Sequence, residues 1–280
     1  MQTSPPSAPL PAGSADAPSV AASVAAFARK TLAIADMEIR KLRHDPTELF
    51  TRALQPALWL LVFGQVISRG HVVDTGGLRY LDFLLPGILA QSVLFIAIFN
   101  GISIIWERDM GIVHKFLASP TPRAALVLGK ALGGGARALA QAVVVVALAL
   151  LLDVRLRWDP VALAGVAALI LLGAAVFSTF SLIIACLVKT RERFMGIGQV
   201  LTMPLFFASN AIYPTAMMPG WLQALSHANP LTYQVDGLRH LLLAGAPPAD
   251  VGLGIDFAVL GVALIVLVAV SARLYPNIAR

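Results

Sequence analysis

Six stretches of the chain are apolar and nearly free of charge, at about 51–68, 83–105, 124–152, 161–188, 194–213 and 252–272. Crossing ~30 Å of hydrocarbon takes roughly 20 apolar residues in a helix, so the pattern predicts an all-α membrane protein with six transmembrane helices. Ahead of the first span, residues 21–46 place Arg29, Asp36, Arg40 and Arg43 on one helical face and Phe27, Ile34 and Leu42 largely opposite. Lys30, Glu38 and Lys41 interrupt that apolar side. A basic amphipathic helix before a span either lies on the membrane surface as an interfacial helix or stands in solvent. Residues 1–20 are rich in Pro, Ala and Ser without an apolar run, so a disordered tail is expected there rather than a cleavable signal.

The segment between the fifth and sixth spans breaks the pattern. It runs from Tyr213 to Pro248 and is interrupted by Pro214, Pro219, Pro230, Pro247 and Pro248. Its two apolar pieces, Trp221–Ala228 and Leu231–Ala244, are too short to cross. Over 219–244 they form either a re-entrant pair of helices in the outer leaflet, sheltered by protein or a water-filled cavity, or an outer cap.

Composition agrees with the membrane reading: the chain is 58% hydrophobic and 13% charged, where soluble domains are roughly 25% charged. The net charge of +6 is explained by topology. With a cytoplasmic N-terminus, 16 Lys and Arg residues fall inside and 5 outside, which puts both termini in the cytoplasm of a cell with this chain in its inner membrane. No basic stripe with interleaved aromatics suggests nucleic acid. Cys186 is alone, the five histidines are scattered, and nothing has metal-ligand spacing, so neither a disulfide nor a metal site is expected.

The most informative stretch is cytoplasmic, between the second and third spans, from Trp106 to Pro120. Glu107, Arg108 and Asp109 are followed by an apolar set at Ile112, Phe116 and Leu117 and a Ser119-Pro120 stop. This reads as a short amphipathic helix offered to a partner, or as an ordinary solvated loop helix. Glu107, Arg108, Gly111, Phe116, Ala118, Ser119 and Pro120 also fit the pattern E-R-x-x-G-x-x-x-x-[LF]-x-[AS]-[ST]-P. Two further motifs keep its company: Leu85-Pro86-Gly87-Ile88 opening the second span, and Asn229-Pro230-Leu231-Thr232-Tyr233 with Asp236, Gly237, Leu238 and Arg239. With these three motifs in order, the chain from about Arg43 to Ala272 resembles the permeases of type-2 ABC exporters, in particular the daunorubicin-resistance and nodulation-factor branch.

The resemblance implies an N-terminal interfacial helix, six spans, re-entrant outer helices before the last span, and two permease copies on two cytoplasmic ABC ATPase subunits. It makes residues 107–120 the coupling region. There Ile112 and Phe116 would fill a cleft on the ATPase, Glu107, Arg108 and Asp109 would set its register by charge pairs, and Gly111 would sit between them. The chain has no phosphate-binding loop, since Gly129-Lys130 is followed by Ala131 and preceded at the first glycine position by Ala124. ATP and Mg are therefore expected on the partner, with no cofactor and no catalytic residue in this chain. The expected cargo is a hydrophobic or amphiphilic compound such as a drug, lipid or glycolipid.

Two alternatives compete. An ion-coupled carrier places ionisable groups at mid-membrane, whereas Asp82 and Asp256 fall near outer span ends and the centres of the spans lack Asp and Glu. A non-transporting assembly subunit is the other. An intramembrane enzyme lacks support, because Ser178, Thr179 and Ser181 have no base at similar depth in their span. Gln199, Met203, Phe206 and Asn210 recur at helical spacing on the fifth span and line either a transport path or a helix seam, with Pro204 expected to kink the helix. In the third span Lys130, Gly134, Arg137 and Gln141 share a face. Its cations either snorkel to headgroups or line a substrate entrance, and Gly133-Gly134-Gly135 allows close contact or bending.

Overall fold

The computed structural model describes residues 20–44, 47–70, 73, 75, 77–118, 121–245 and 251–275. The expected tail and the Pro247-Pro248 pair lie outside them, apart from Val20. Among the described residues the elements are helical, with the α-helices α1 (Val20–His44), α2 (Thr47–Leu58), α3 (Gln65–Gly70), α4 (Tyr80–Asp109), α5 (Ile112–Ala118), α6 (Arg123–Leu151), α7 (Pro160–Leu187), α8 (Arg191–Phe207), α9 (Gly220–Ala228), α10 (Pro230–Leu242) and α11 (Leu253–Leu274). Among the described residues, four helices are long and apolar enough to cross a membrane: α4, α6, α7 and α11.

The first and fifth expected spans take other forms. A π-helical turn, Trp59–Gly64, joins α2 to α3 in one rod. It follows Pro56, whose missing N–H removes an i→i−4 bond just upstream. The fifth ends earlier than the expected 213, because α8 stops at Phe207 and residues 208–213 turn. Pro204 stands in the last turn of α8, where its carbonyl accepts from the Ala208 N–H at 2.8 Å. It stands three residues before the end of the helix.

α4 is the hub, buried along most of its length and packed against α6, α7, α8 and α10. Leu84, Leu85, Ile88, Leu89, Leu94 and Ile98 are fully enclosed there. In the Leu-Pro-Gly-Ile motif, Gly87 lies directly against Ala211 of the turn after α8. Ser181 of α7 donates its hydroxyl to the Ile98 carbonyl of α4, as a helix-to-helix hydrogen bond should. α11, by contrast, presents Val262, Ile265 and Val266 outward.

The glycines of α6 set up close contact. A Cβ at Gly129 would come within 2.6 Å of Ile34, at Gly134 within 2.7 Å of Ser178, and at Gly135 within 2.8 Å of Leu171, while at Gly133 it would overlap Glu38. The run therefore docks α6 against both α1 and α7. On α1 the side facing α6 carries Thr31, Ile34, Ala35 and Glu38, all buried, at spacings of three, one and three that make a single stripe. Arg40 and Asp36 pair on the exposed side at 2.8 Å.

The short helices are held by their own motif. Asn229 caps α10 by accepting from the Leu231 N–H at 3.0 Å, with Pro230 at the first helical position. Its amide nitrogen donates to the Leu205 carbonyl at 2.7 Å, which binds α10 to the end of α8. Farther along, Arg239 donates to the Asn210 carbonyl at 2.7 Å and lies 4.0 Å from the centre of the Phe83 ring. α10 is thus enclosed by α4, α7 and α11.

Candidate functional site

The site grows from three consecutive residues at the end of α4, which successive 100° steps send in three directions. Glu107 points inward, is 4% exposed, and pairs with Lys130 of α6 at 2.5 Å. Arg108 points sideways and donates to the Lys189 carbonyl at 2.7 Å and the Val188 carbonyl at 3.4 Å, beyond the end of α7. Asp109 points outward between Arg108 at 3.0 Å and Arg191 of α8 at 2.7 Å. The Arg191 guanidinium also covers the Trp106 ring at 3.5 Å.

Gly111 then reverses the chain with φ of +72°, a left-handed conformation open to glycine at little cost, and α5 folds back under the bundle. Val113 of α5 is fully buried and Phe116 packs on the cluster formed by Ile34, Ile104, Leu126, Val127, Leu182 and Tyr275. Lys130 lies 5.9 Å from the centre of the Phe116 ring. Phe116 therefore faces this chain's own core, Ile112 is half-buried, and the outward positions are Met110, Lys115 and Ala118. Ser119 and Pro120 lie outside the described residues, as do the side chains of His114 and Leu117.

Behind Glu107 the charges close into a network. Lys130 also approaches Glu38 of α1 at 3.7 Å, and Arg137 pairs with Glu38 at 3.0 Å and donates to Asn100 of α4 at 2.5 Å. Among the described residues two acids and two bases balance in a largely buried space, where a lone charge would be costly. This corrects the expectation for α6: Lys130, 3% exposed, neither snorkels to headgroups nor lines an entrance, and Arg137 is likewise engaged inside the protein. Burial, with the Glu107 carboxylate adding to it, pushes the Tyr275 phenol above its ordinary range, so the phenol beside this network stays neutral.

Three of the four residues expected on one face of the fifth span, Gln199, Met203 and Phe206, stand at helical spacing on α8. Gln199 and Met203 are exposed on α8, and Phe206 is fully buried with its ring edge-on to Trp59 at 5.7 Å. Asn210 lies beyond the helix end, buried in the turn. On α4, Asn100 accepts from Arg137 of α6 at 2.5 Å, and Gln91 borders the space between α2 and α6. Sequence reasoning missed Glu38 and Arg191 as partners of the site; the signal for Glu38 was its place as a charge on the apolar side of α1.

The family model for ABC-2 type transporters matches residues 29–243. A daunorubicin-resistance ABC transporter permease of Streptomyces coeruleorubidus is 30% identical to the chain over 84% of its length and 82% of the relative's. An inner membrane transport permease of Escherichia coli K12, YadH, is 27% identical over 65% of the chain and 70% of the relative.

Proposed function

The chain belongs to the ABC-2 type transporter family, and from that premise we propose that it is the membrane-spanning permease subunit of an ATP-driven exporter of a hydrophobic or amphiphilic compound. A separate ABC ATPase supplies the energy and holds ATP and Mg. Two permeases assemble with two ATPases in the inner membrane, both termini facing the cytoplasm. In this reading the rod from α2 to α3 and the 17 residues of α8 complete six crossings, since 17 residues is about the lower limit for a span. α1 is the interfacial helix, and α9 with α10 is the re-entrant pair, its backbone polar groups sheltered by the helices around α10.

The observation that carries the coupling assignment is the three-way divergence at Glu107, Arg108 and Asp109. Through it, one short cytoplasmic segment grips α1, α6 and the α7–α8 junction at once. A displacement of α5 by the ATPase reaches all of them without crossing the apolar core. The surface left for the partner is Asp109, Met110 and Lys115, while Glu107 and Phe116 act from behind it and Arg108 from the side. Asp109→Lys and Met110→Glu variants, co-purified with the ATPase, test this. The expected result is normal membrane insertion with at least about tenfold weaker stimulation of ATP turnover, since opposed charges and a buried anion oppose docking. Unchanged stimulation in both would move the coupling surface elsewhere.

A further inference from the structure

Between α6 and α7, beside the loop of residues 152–159 that joins them, runs a groove of about 380 Å³. α6 lines it with a stripe from Leu139 to Leu150 at spacings of three, one, three, one and three, which share one helical face. Leu163, Val166, Ala167 and Ile170 of α7 form the facing wall, and Leu242 of α10 borders it. One turn below Leu139 the helices close, where Gly135 lies against Leu171. Apart from Arg157 and Trp158 in the loop, every lining residue is aliphatic. Such a hollow does not hold water, and left empty its walls forfeit their dispersion contacts. Val143, Leu150 and Leu163 are exposed along its rim, so it opens sideways to the bilayer.

Its dimensions select the occupant. The eleven steps from Leu139 to Leu150 make about 16 Å of helix, close to half of the ~30 Å hydrocarbon core. Spread over that length, 380 Å³ leaves a cross-section of about 24 Å², enough for one extended hydrocarbon chain, whereas a helix of ~10 Å diameter takes about 80 Å². The backbone of a second copy therefore stays outside. At the loop end Trp158 is 61% exposed, as indoles at the membrane–water boundary are. Arg157 pairs there with Asp159 at 3.1 Å, so the site does not depend on head-group charge. We propose that the groove seats one acyl chain of a membrane phospholipid, with the glycerol end at Trp158 and the chain along the α6 stripe, held in preference to chains on the open helix surface. The seated chain touches α6, α7 and α10 together. Such a site needs only the membrane setting, not the exporter reading.

The test uses the full chain in phosphatidylcholine nanodiscs containing a trace of phosphatidylcholine with a diazirine in mid-chain. After brief photolysis, peptide mass spectrometry maps the labelled residues. α11 supplies the control on the same molecule, since its valines face outward without a groove. Val143 is 69% exposed and Val262 61%, and they lie at similar depth, eight and nine residues from the ends of α6 and α11 that flank α10. Exposure alone makes these two label equally and the half-buried Val146 label less. A seated chain, walled by protein on several sides, should raise Val143 and Val146 above Val262 and Val266 by about fivefold. Ala147→Phe, at an exposed position on the rim, should plug the groove and bring Val143 and Val146 back to the α11 level while leaving α11 unchanged. Equal labelling of Val143 and Val262 in the wild type would overturn the proposal, whether or not the variant folds, and so would undiminished groove labelling in a folded Ala147→Phe. Labelling of Val143 and Val146 below that of α11, with a disulfide forming between copies that carry Val143→Cys and Cys186→Ala, would overturn it in favour of a second copy of the chain.

Discussion

Lys130→Met is the sharpest test of the network behind the segment from Glu107 to Phe116. Removing the ammonium takes one positive charge from the group formed by Glu38, Glu107, Lys130 and Arg137, which goes from neutral to a net charge of −1. Breaking a buried ion pair from one side costs about 3–5 kcal/mol. The variant has one escape, which is to protonate a carboxyl. For an ordinary glutamate, with a pKa of about 4.3, that costs about 3.7 kcal/mol at pH 7, so the destabilisation settles near this value. The folded variant then holds a proton that its unfolded chain has released, and its deficit must shrink as the pH falls, by about 1.4 kcal/mol per unit. At roughly 2–4 °C per kcal/mol for a chain of this size, melting followed by tryptophan fluorescence in detergent should show a drop of about 8–14 °C at pH 7. At pH 5 the drop should narrow to about 3 °C. Adding Glu107→Gln should restore at least about half the loss at pH 7, because the same deletion no longer strands a charge. A melting point within about 2 °C of wild type at pH 7, or a deficit indifferent to pH, would refute the picture of a closed, dehydrated cluster.

Two further substitutions probe the contacts around it. Gly133→Ala places a methyl group on Glu38 and should cost about 1–3 kcal/mol as overpacking, read as a lower melting point together with faster proteolysis of α1. Asn229→Ala removes the cap of α10 and its tie to Leu205, and should lose about 1–2 kcal/mol in the same melting assay without altering membrane insertion.

The long apolar runs were legible because hydrocarbon demands them: α4, α6, α7 and α11 begin and end within a few residues of the expected bounds. The end of α8 was not, because Phe207 to Ile212 stays largely apolar and composition cannot register a turn whose cause is a proline and a buried packing site. The paired short helices between Pro219 and Ala244 were visible through their prolines, and the N-cap at Asn229 explains why an Asn-Pro step begins the second of them.

The site was half legible for a different reason. Local pattern identified the segment from Glu107 to Phe116, yet it could not tell which of the three consecutive charges faces inward, since their partners come from α6, α8 and the end of α7. Glu38 and Arg137 are separated by 99 positions. Each nevertheless appeared in the sequence as an anomaly, an acid on the apolar side of an amphipathic helix and two bases inside a long apolar span. Glycines beside those bases completed the clue: Gly129 and Gly133 remove the side chains that would hold α1 away, and only a helix arriving with an acid at that level neutralises Lys130 and Arg137 together with Glu107. Opposite charges that each violate their own element's pattern, next to small residues that admit a neighbour, predict a helix contact. Here that contact ties α1 to α6 and, through Lys130, to Glu107 at the end of α4.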